Sequence, residues 1–184
     1  SYYDTNIGTH NVVYTDIENT DNYDHIYQSD LCGWVGQLGY NKDSIYGANV
    51  FTAEGNETLK AASFYATGKD SQYELYVVRQ FEDETSLEKM IPVASGKLGN
   101  AGYYTVDFNQ GIEVDAGERY AVVLYIITPG SVHPMAIEYA ADEATENVDL
   151  DDGESYISAN GSKWVSVDTV EKSNLCIKAF SDNR

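Results

Sequence analysis

Three prolines, two cysteines, two methionines and three histidines in 184 residues leave few of the usual handles for chemistry. Two cysteines are too few for a disulfide framework. A single Cys32–Cys176 bridge stays open, and the alternative for Cys176, inside the strand-like NLCIKAF, is a small buried hydrophobe. The histidines are isolated, with no C-x-x-C or H-x-x-x-H spacing to hold zinc. Phosphate-cradling loops are missing too, since GYNKDS and GESYIS lack the glycine-lysine core. No apolar run approaches the roughly 20 residues of a membrane helix, so no membrane insertion is expected. The longest run, Tyr120 to Thr128, has the length of a buried strand. Cations are scarce: 11 Lys and Arg against 30 Asp and Glu give a formal charge of −19. A nucleic-acid backbone or anionic membrane would be repelled, and no Lys/Arg cluster reverses that locally.

What the chain has in quantity is strand-forming sequence. Ala48 to Ala53, Leu59 to Thr67 and Gln72 to Arg79 are rich in β-branched, aromatic and apolar residues, and Glu54-Gly55-Asn56 and Gly68-Lys69-Asp70 separate them as turns. Tyr73, Leu75 and Val77 fall on one face of the third run and Glu74, Tyr76 and Val78 on the other, the two-residue period of a sheet. Tyr104, Val106 and Phe108 alternate in the same way against Tyr103, Thr105 and Asp107. Arg119 to Ile127 is apolar on both faces and reads as a central strand. Glu82 to Met90 alone could be helical, or equally a hairpin loop. With turn signals roughly every 8 to 12 residues, the expectation is all-β: a jelly-roll-like β-sandwich of two antiparallel sheets. Residues 46–184 form the sandwich and residues 1–45 an irregular entry segment packed on it. Within that segment Asn11 to Ile17 has a strand-like centre, and the polar stretch Asp16 to Asp30 reads as a crossing loop. One core suffices for this length.

Five segments carry a family resemblance: NVFTAEGNETLKAASFY, GNAGYYTVDF, AGERYAVVLYIITPG, DGESYISANGSKW and NLCIKAF. Together, over about residues 27 to 181, they resemble the lectin-like domain attached to papain-type cysteine peptidases of Gram-positive, clostridial-type bacteria. SYYDTNIG resembles the segment in which such peptidases leave their catalytic domain, so that Ser1 would mark a boundary inside a longer chain. The resemblance implies a monomeric accessory domain at the cell surface or outside the cell, with a peptidase domain in cis and a cell-wall or host glycan as a further partner. Catalysis by this stretch itself is not expected. LCGWV at Leu31 resembles the C-G-x-C-W setting of a papain-type nucleophile, but the glycine follows Cys32, the second cysteine is missing and no N-S-W-G segment follows.

Two kinds of site remain. Asp142, Glu143, Glu146, Asp149, Asp151, Asp152 and Glu154 crowd one connection, and hard oxygen ligands on a loop suit calcium, which the resemblance also implies. Asp149, Asp151, Asp152 and Glu154 are the candidate ligands, although a solvated acidic loop is the plainer reading. For a saccharide, Trp34, Tyr40, Tyr46 and Tyr103 are the candidate aromatic platforms, chosen from 16 tyrosines and two tryptophans because they fall on loops. Three functions stay open: an accessory module of a peptidase, an independent carbohydrate-binding module, and a structural spacer without a ligand.

Overall fold

The computed structural model describes residues 21–151, 153–167 and 171–184, together with 13–15, 17 and 19. Its strands are β1 (His25–Tyr27), β2 (Gly36–Leu38), β3 (Ser44–Thr52), β4 (Glu57–Ala66), β5 (Ser71–Val78), β6 (Ile91–Leu98) and β7 (Gly102–Val114). They continue with β8 (Arg119–Ile127), β9 (Met135–Glu138), β10 (Ser155–Ser158), β11 (Val165–Ser166), β12 (Asn174–Leu175) and β13 (Ile177–Asn183). A four-stranded sheet, β1-β13-β4-β7, faces a six-stranded sheet, β11-β10-β3-β8-β5-β6. Every pairing is antiparallel. The chain is therefore an all-β sandwich, with one addition to the two expected sheets: β12, β9 and β2 make a small third sheet.

Alternation explains the main layer. Leu75 and Val77 of β5, Tyr120, Val122, Leu124 and Ile126 of β8, and Leu59, Ala62 and Phe64 of β4 point into one core between the two large sheets. The opposite positions of the six-stranded sheet, Ala48, Val50, Val78, Ala121 and Val123, form a second cluster under Phe81 and Leu87. Those two residues come from the connection between β5 and β6. There Asp83 caps a 3₁₀ helix, Glu84–Glu88, by accepting the Thr85 N–H, while the Ser86 side chain reaches back to the cap. Covering the second face is why β8, lying between β3 and β5, is apolar on both sides.

Turn chemistry fixes the register. Asp70 takes the left-handed conformation, φ 57°, in the β4–β5 turn, and Gly117, φ 77°, does so between β7 and β8. Two buried polar groups then crosslink the strands. Asn49 of β3 donates to the carbonyls of Leu175 and Ile177 at 2.9 and 2.8 Å and accepts from Ser155 at 2.8 Å. Glu57 of β4 accepts from the hydroxyls of Tyr27 and Ser181 and from the Gly55 N–H.

One expectation changes. The stretch 16–30, read as a crossing loop, contains β1, which pairs with β13; β2 and the start of β3 also lie before residue 46. These strands are two or three residues long or begin in polar sequence, so no period marks them. Of Asn11 to Ile17, residues 11, 12 and 16 lie outside the described residues, as does the segment 1–10. Cys32 and Cys176 are free thiols, one exposed and one buried, and no bridge joins them.

Candidate functional site

The outer face of the four-stranded sheet carries an aromatic row. Ser63 and Tyr65 of β4 point outward because their neighbours Ala62 and Phe64 enter the core. Register places Tyr103 of β7 directly opposite Tyr65. Their rings lie 5.0 Å apart, and Trp34 from the β1–β2 connection adds a third ring 5.7 Å from Tyr65. The Tyr103 hydroxyl donates to Ser63 at 2.5 Å. Gly33 permits the approach, since a Cβ there would meet the Tyr65 hydroxyl at 3.0 Å, and its φ of 71° disfavours any side chain. Trp34 and Tyr103 are thus brought together by a residue, Tyr65, whose outward position is legible only once the strand phase is known. Ile26, Leu31, Trp34 and Tyr103 on this side are all exposed apolar residues.

The outer face of the six-stranded sheet holds a different surface. Tyr46 of β3 stands opposite Tyr125 of β8, which stands opposite Glu74 of β5 and, through it, Ser95 of β6. Tyr46 and Tyr125 stack at 4.2 Å and 22°, Trp164 meets Tyr46 edge-on at 6.2 Å, and the Tyr76 hydroxyl donates to Glu74. Burial, with Tyr125 and Glu74 close by, pushes the Tyr46 phenol up. A groove of about 410 Å³ runs over this end of the sheet, lined by Gln72, Glu74, Lys97, Tyr125 and Ile127 among others. Tyr46 therefore sits on the face opposite Trp34 and Tyr103. Tyr40, in the β2–β3 connection, belongs to neither ring cluster, and burial pushes its phenol up with Glu171 contributing.

A buried polar cluster lies where the third sheet meets the 28–34 segment. The Asn174 amide nitrogen faces the Ser29 carbonyl at 2.9 Å, the Asp149 carbonyl at 2.9 Å and Glu138 at 3.1 Å. The Cys32 N–H donates to the other Glu138 oxygen. Asp30 is fully buried and neither carboxylate oxygen receives a hydrogen bond; Lys178 stands 3.4 Å away. Burial pushes Asp30 up to about 6 against the pull of Lys178. The same burial and the neighbouring Asp30 and Glu138 push the Cys176 thiol up. A lone glutamate in the apolar strand MAIE was the available signal for this cluster.

Among the described residues, the carboxylates expected to hold calcium find other partners. Glu154 pairs with Arg119 and accepts from Tyr156, Asp149 accepts the Asp151 N–H at 3.0 Å, and Asp152 lies outside the described residues. Among the described residues no three His, Cys, Asp or Glu side chains converge on a metal position.

The family described as Lectin like domain matches residues 26–181. No curated protein matches the chain. Among solved structures, a clostridial cysteine protease, Cwp84, after propeptide cleavage, superposes with a TM-score of 0.72 at 24% identity, over 87% of this chain and 40% of that one. A structure of the cysteine protease and lectin-like domains of Cwp84, a surface layer associated protein of Clostridium difficile, gives 0.67 at 22% identity, over 87% and 36%. At these identities the likeness carries the fold, and the chain spans well under half of either protein.

Proposed function

The chain belongs to the lectin-like domain family, and from that membership we propose that it is the non-catalytic accessory domain of a longer cysteine peptidase at the cell surface, holding substrate or a cell-wall glycan near the peptidase domain. The observation that carries the reading is the family match over residues 26–181, and the thiols agree with its non-catalytic part. A nucleophilic cysteine needs its pKa lowered, whereas burial and carboxylates push Cys176 up, and Cys32, beside Glu138, is shifted in the same direction. The architecture of Cwp84, protease and lectin-like domains together, supports a peptidase domain in cis. The side of the four-stranded sheet bearing Ile26, Leu31, Trp34 and Tyr103 is the face that would dock it, since exposed apolar side chains concentrate there and Tyr and Trp suit interfaces with one wet end. The test is the parent gene product with and without residues 26–181. Hydrolysis of a short peptide persists without the domain, and processing of wall-bound protein falls. Equal processing of wall-bound protein by both forms would leave only a spacer.

Calcium is a second part of this proposal, with its side-chain ligands moved off the acidic loop. An amide NH₂ has two hydrogens, yet three oxygens, from Ser29, Asp149 and Glu138, converge on that of Asn174. Nearby, the carboxylate of the fully buried Asp30 receives no hydrogen bond, and Lys178 supplies one positive charge against two buried carboxylates. Hard oxygen donors with excess negative charge fit calcium. Bound there, the ion would tie the 149–154 connection to β9, β12 and the 29–32 segment, a structural role.

A further inference from the structure

The groove over β5, β6 and β8 has the makings of a ligand site independent of the docking face. Its volume, about 410 Å³, lies in the small-molecule range. One cross-strand row offers Ser95, Glu74, Tyr125 and Tyr46, and the next offers Lys97, Gln72 and Ile127. Hydroxyl, amide and carboxylate groups therefore stand beside a ring face at strand spacing, about 4.8 Å. Tyr125 is held by its stack on Tyr46, and Tyr76 fixes Glu74, so little ordering remains to be done on binding. Charge narrows the ligand. Lys97, the cation among the lining residues, is paired with Asp70 at 3.1 Å, no ion pair among the described residues includes Glu74, and the chain carries −19. A uronic, sialic or phosphorylated sugar would meet net repulsion.

We propose that this groove binds an uncharged pyranose chain, with Tyr125 as the stacking platform and Gln72 and Glu74 as hydroxyl ligands. The assignment rests on the reading of the chain as a glycan-positioning domain and gives that reading a place and a ligand class.

The test is calorimetric titration of the chain with chitotetraose and cellotetraose, uncharged, and with tetragalacturonate, anionic. An uncharged tetrasaccharide binds, and tetragalacturonate binds at least tenfold more weakly. Tyr125→Ala weakens binding about tenfold, the loss of one aromatic contact. Gln72→Ala, at an exposed side chain that the fold does not need, weakens it about threefold with an unchanged melting temperature. Binding that survives both substitutions but is lost in Trp34→Ala would overturn the groove while leaving the glycan reading intact. Preference for tetragalacturonate would overturn the ligand class. No heat with any tetrasaccharide at millimolar concentration, or a response to an unstructured peptide alone, would overturn both the groove and the glycan reading.

Discussion

Replacing Glu57 by glutamine tests whether a buried carboxylate ties β1, β4 and β13 together. The side chain is fully buried, and Tyr27 donates to it at 2.8 Å, Ser181 at 2.5 Å and the Gly55 N–H at 2.8 Å. Tyr27 in turn accepts the Glu54 N–H at 2.9 Å. Burial alone would raise the Glu57 pKa, but the donors from Ser181, Tyr27 and Gly55, with His25 nearby, outweigh it and hold the group below its ordinary value. Glutamine keeps one acceptor oxygen and turns the other into a donor facing hydroxyls. Hydrogen bonds to a charged group are worth roughly 1.5–3 kcal/mol each, so losing one and weakening the others costs about 3 kcal/mol at pH 7. In a domain of this size each kcal/mol moves the melting temperature by about 2–4 °C, giving a drop on the order of 6–12 °C. The pH dependence separates this from a simple packing defect. Because the folded pKa lies below the unfolded value of about 4.3, the unfolded chain binds more protons in the interval between them. The stabilisation is complete above the unfolded value and is lost as pH falls through the folded one. Urea melts of both forms between pH 7 and pH 3 should show a stability gap that is constant above about pH 5 and narrows below it; the other carboxylates cancel in the difference. A gap that stays constant down to pH 3, or no gap at pH 7, would refute the role given to the charge.

Asn49→Ala leaves the Leu175 and Ile177 carbonyls without their buried donor, and should cost about 3 kcal/mol in a urea melt at pH 7; wild-type stability would show that the crosslink between β3 and the β12–β13 junction is dispensable. If calcium occupies the Ser29, Glu138 and Asp149 oxygens, chelation lowers the melting temperature and calcium at ~100 times its Kd restores about 2.7 kcal/mol. Glu138→Gln should abolish that response, and a melting temperature indifferent to chelation sinks the site. A thiol reagent should label Cys32 in the native protein and Cys176 only after denaturation, because one is exposed and the other buried; equal labelling rates would contradict the placement of β12 and β13.

The long strands were legible in the sequence because they obey a period. β3, β4 and β5 begin and end within a few residues of the alternating runs, and the doubly apolar stretch at 119–127 is the central β8. Short strands carry no period: β1, β2 and β12 are specified by their partners rather than by their own two or three residues. Among the described residues, the acidic crowd at 142–154 does not converge, for a physical reason. Carboxylates close in sequence diverge in space toward whatever donor each finds, Glu154 to Arg119 and Asp149 to a neighbouring N–H. The groups that do converge, Ser29, Glu138, Asp149 and Asn174, come from four separate segments, and two of them contribute backbone carbonyls that no side-chain pattern can announce. The aromatic candidates divide for the same reason: Tyr46 and Tyr103 point outward on different sheets, so they face opposite sides of the sandwich.

Why the groove lies at one end of the six-stranded sheet follows from the connection between β5 and β6. β5 runs antiparallel to β8, so its last residue, Val78, pairs with Ala121, while its early residues Gln72 and Glu74 pair with Ile127 and Tyr125. The chain leaving Val78 folds back over its own end of the sheet, and Phe81 and Leu87 bury Ala121 and Val123 there. That cover is about one 3₁₀ helix long, and Tyr125 is not part of the cluster under it. One end of the same face is thereby committed to the core and the other to solvent. Burial of apolar side chains is worth several kcal/mol each, whereas exposed polar side chains contribute little to folding. Leu87→Ala should therefore melt the domain without touching a bound saccharide directly, and Gln72→Ala should do the reverse. A protein in which both substitutions lower stability alike would not have the division of labour that the strand register imposes.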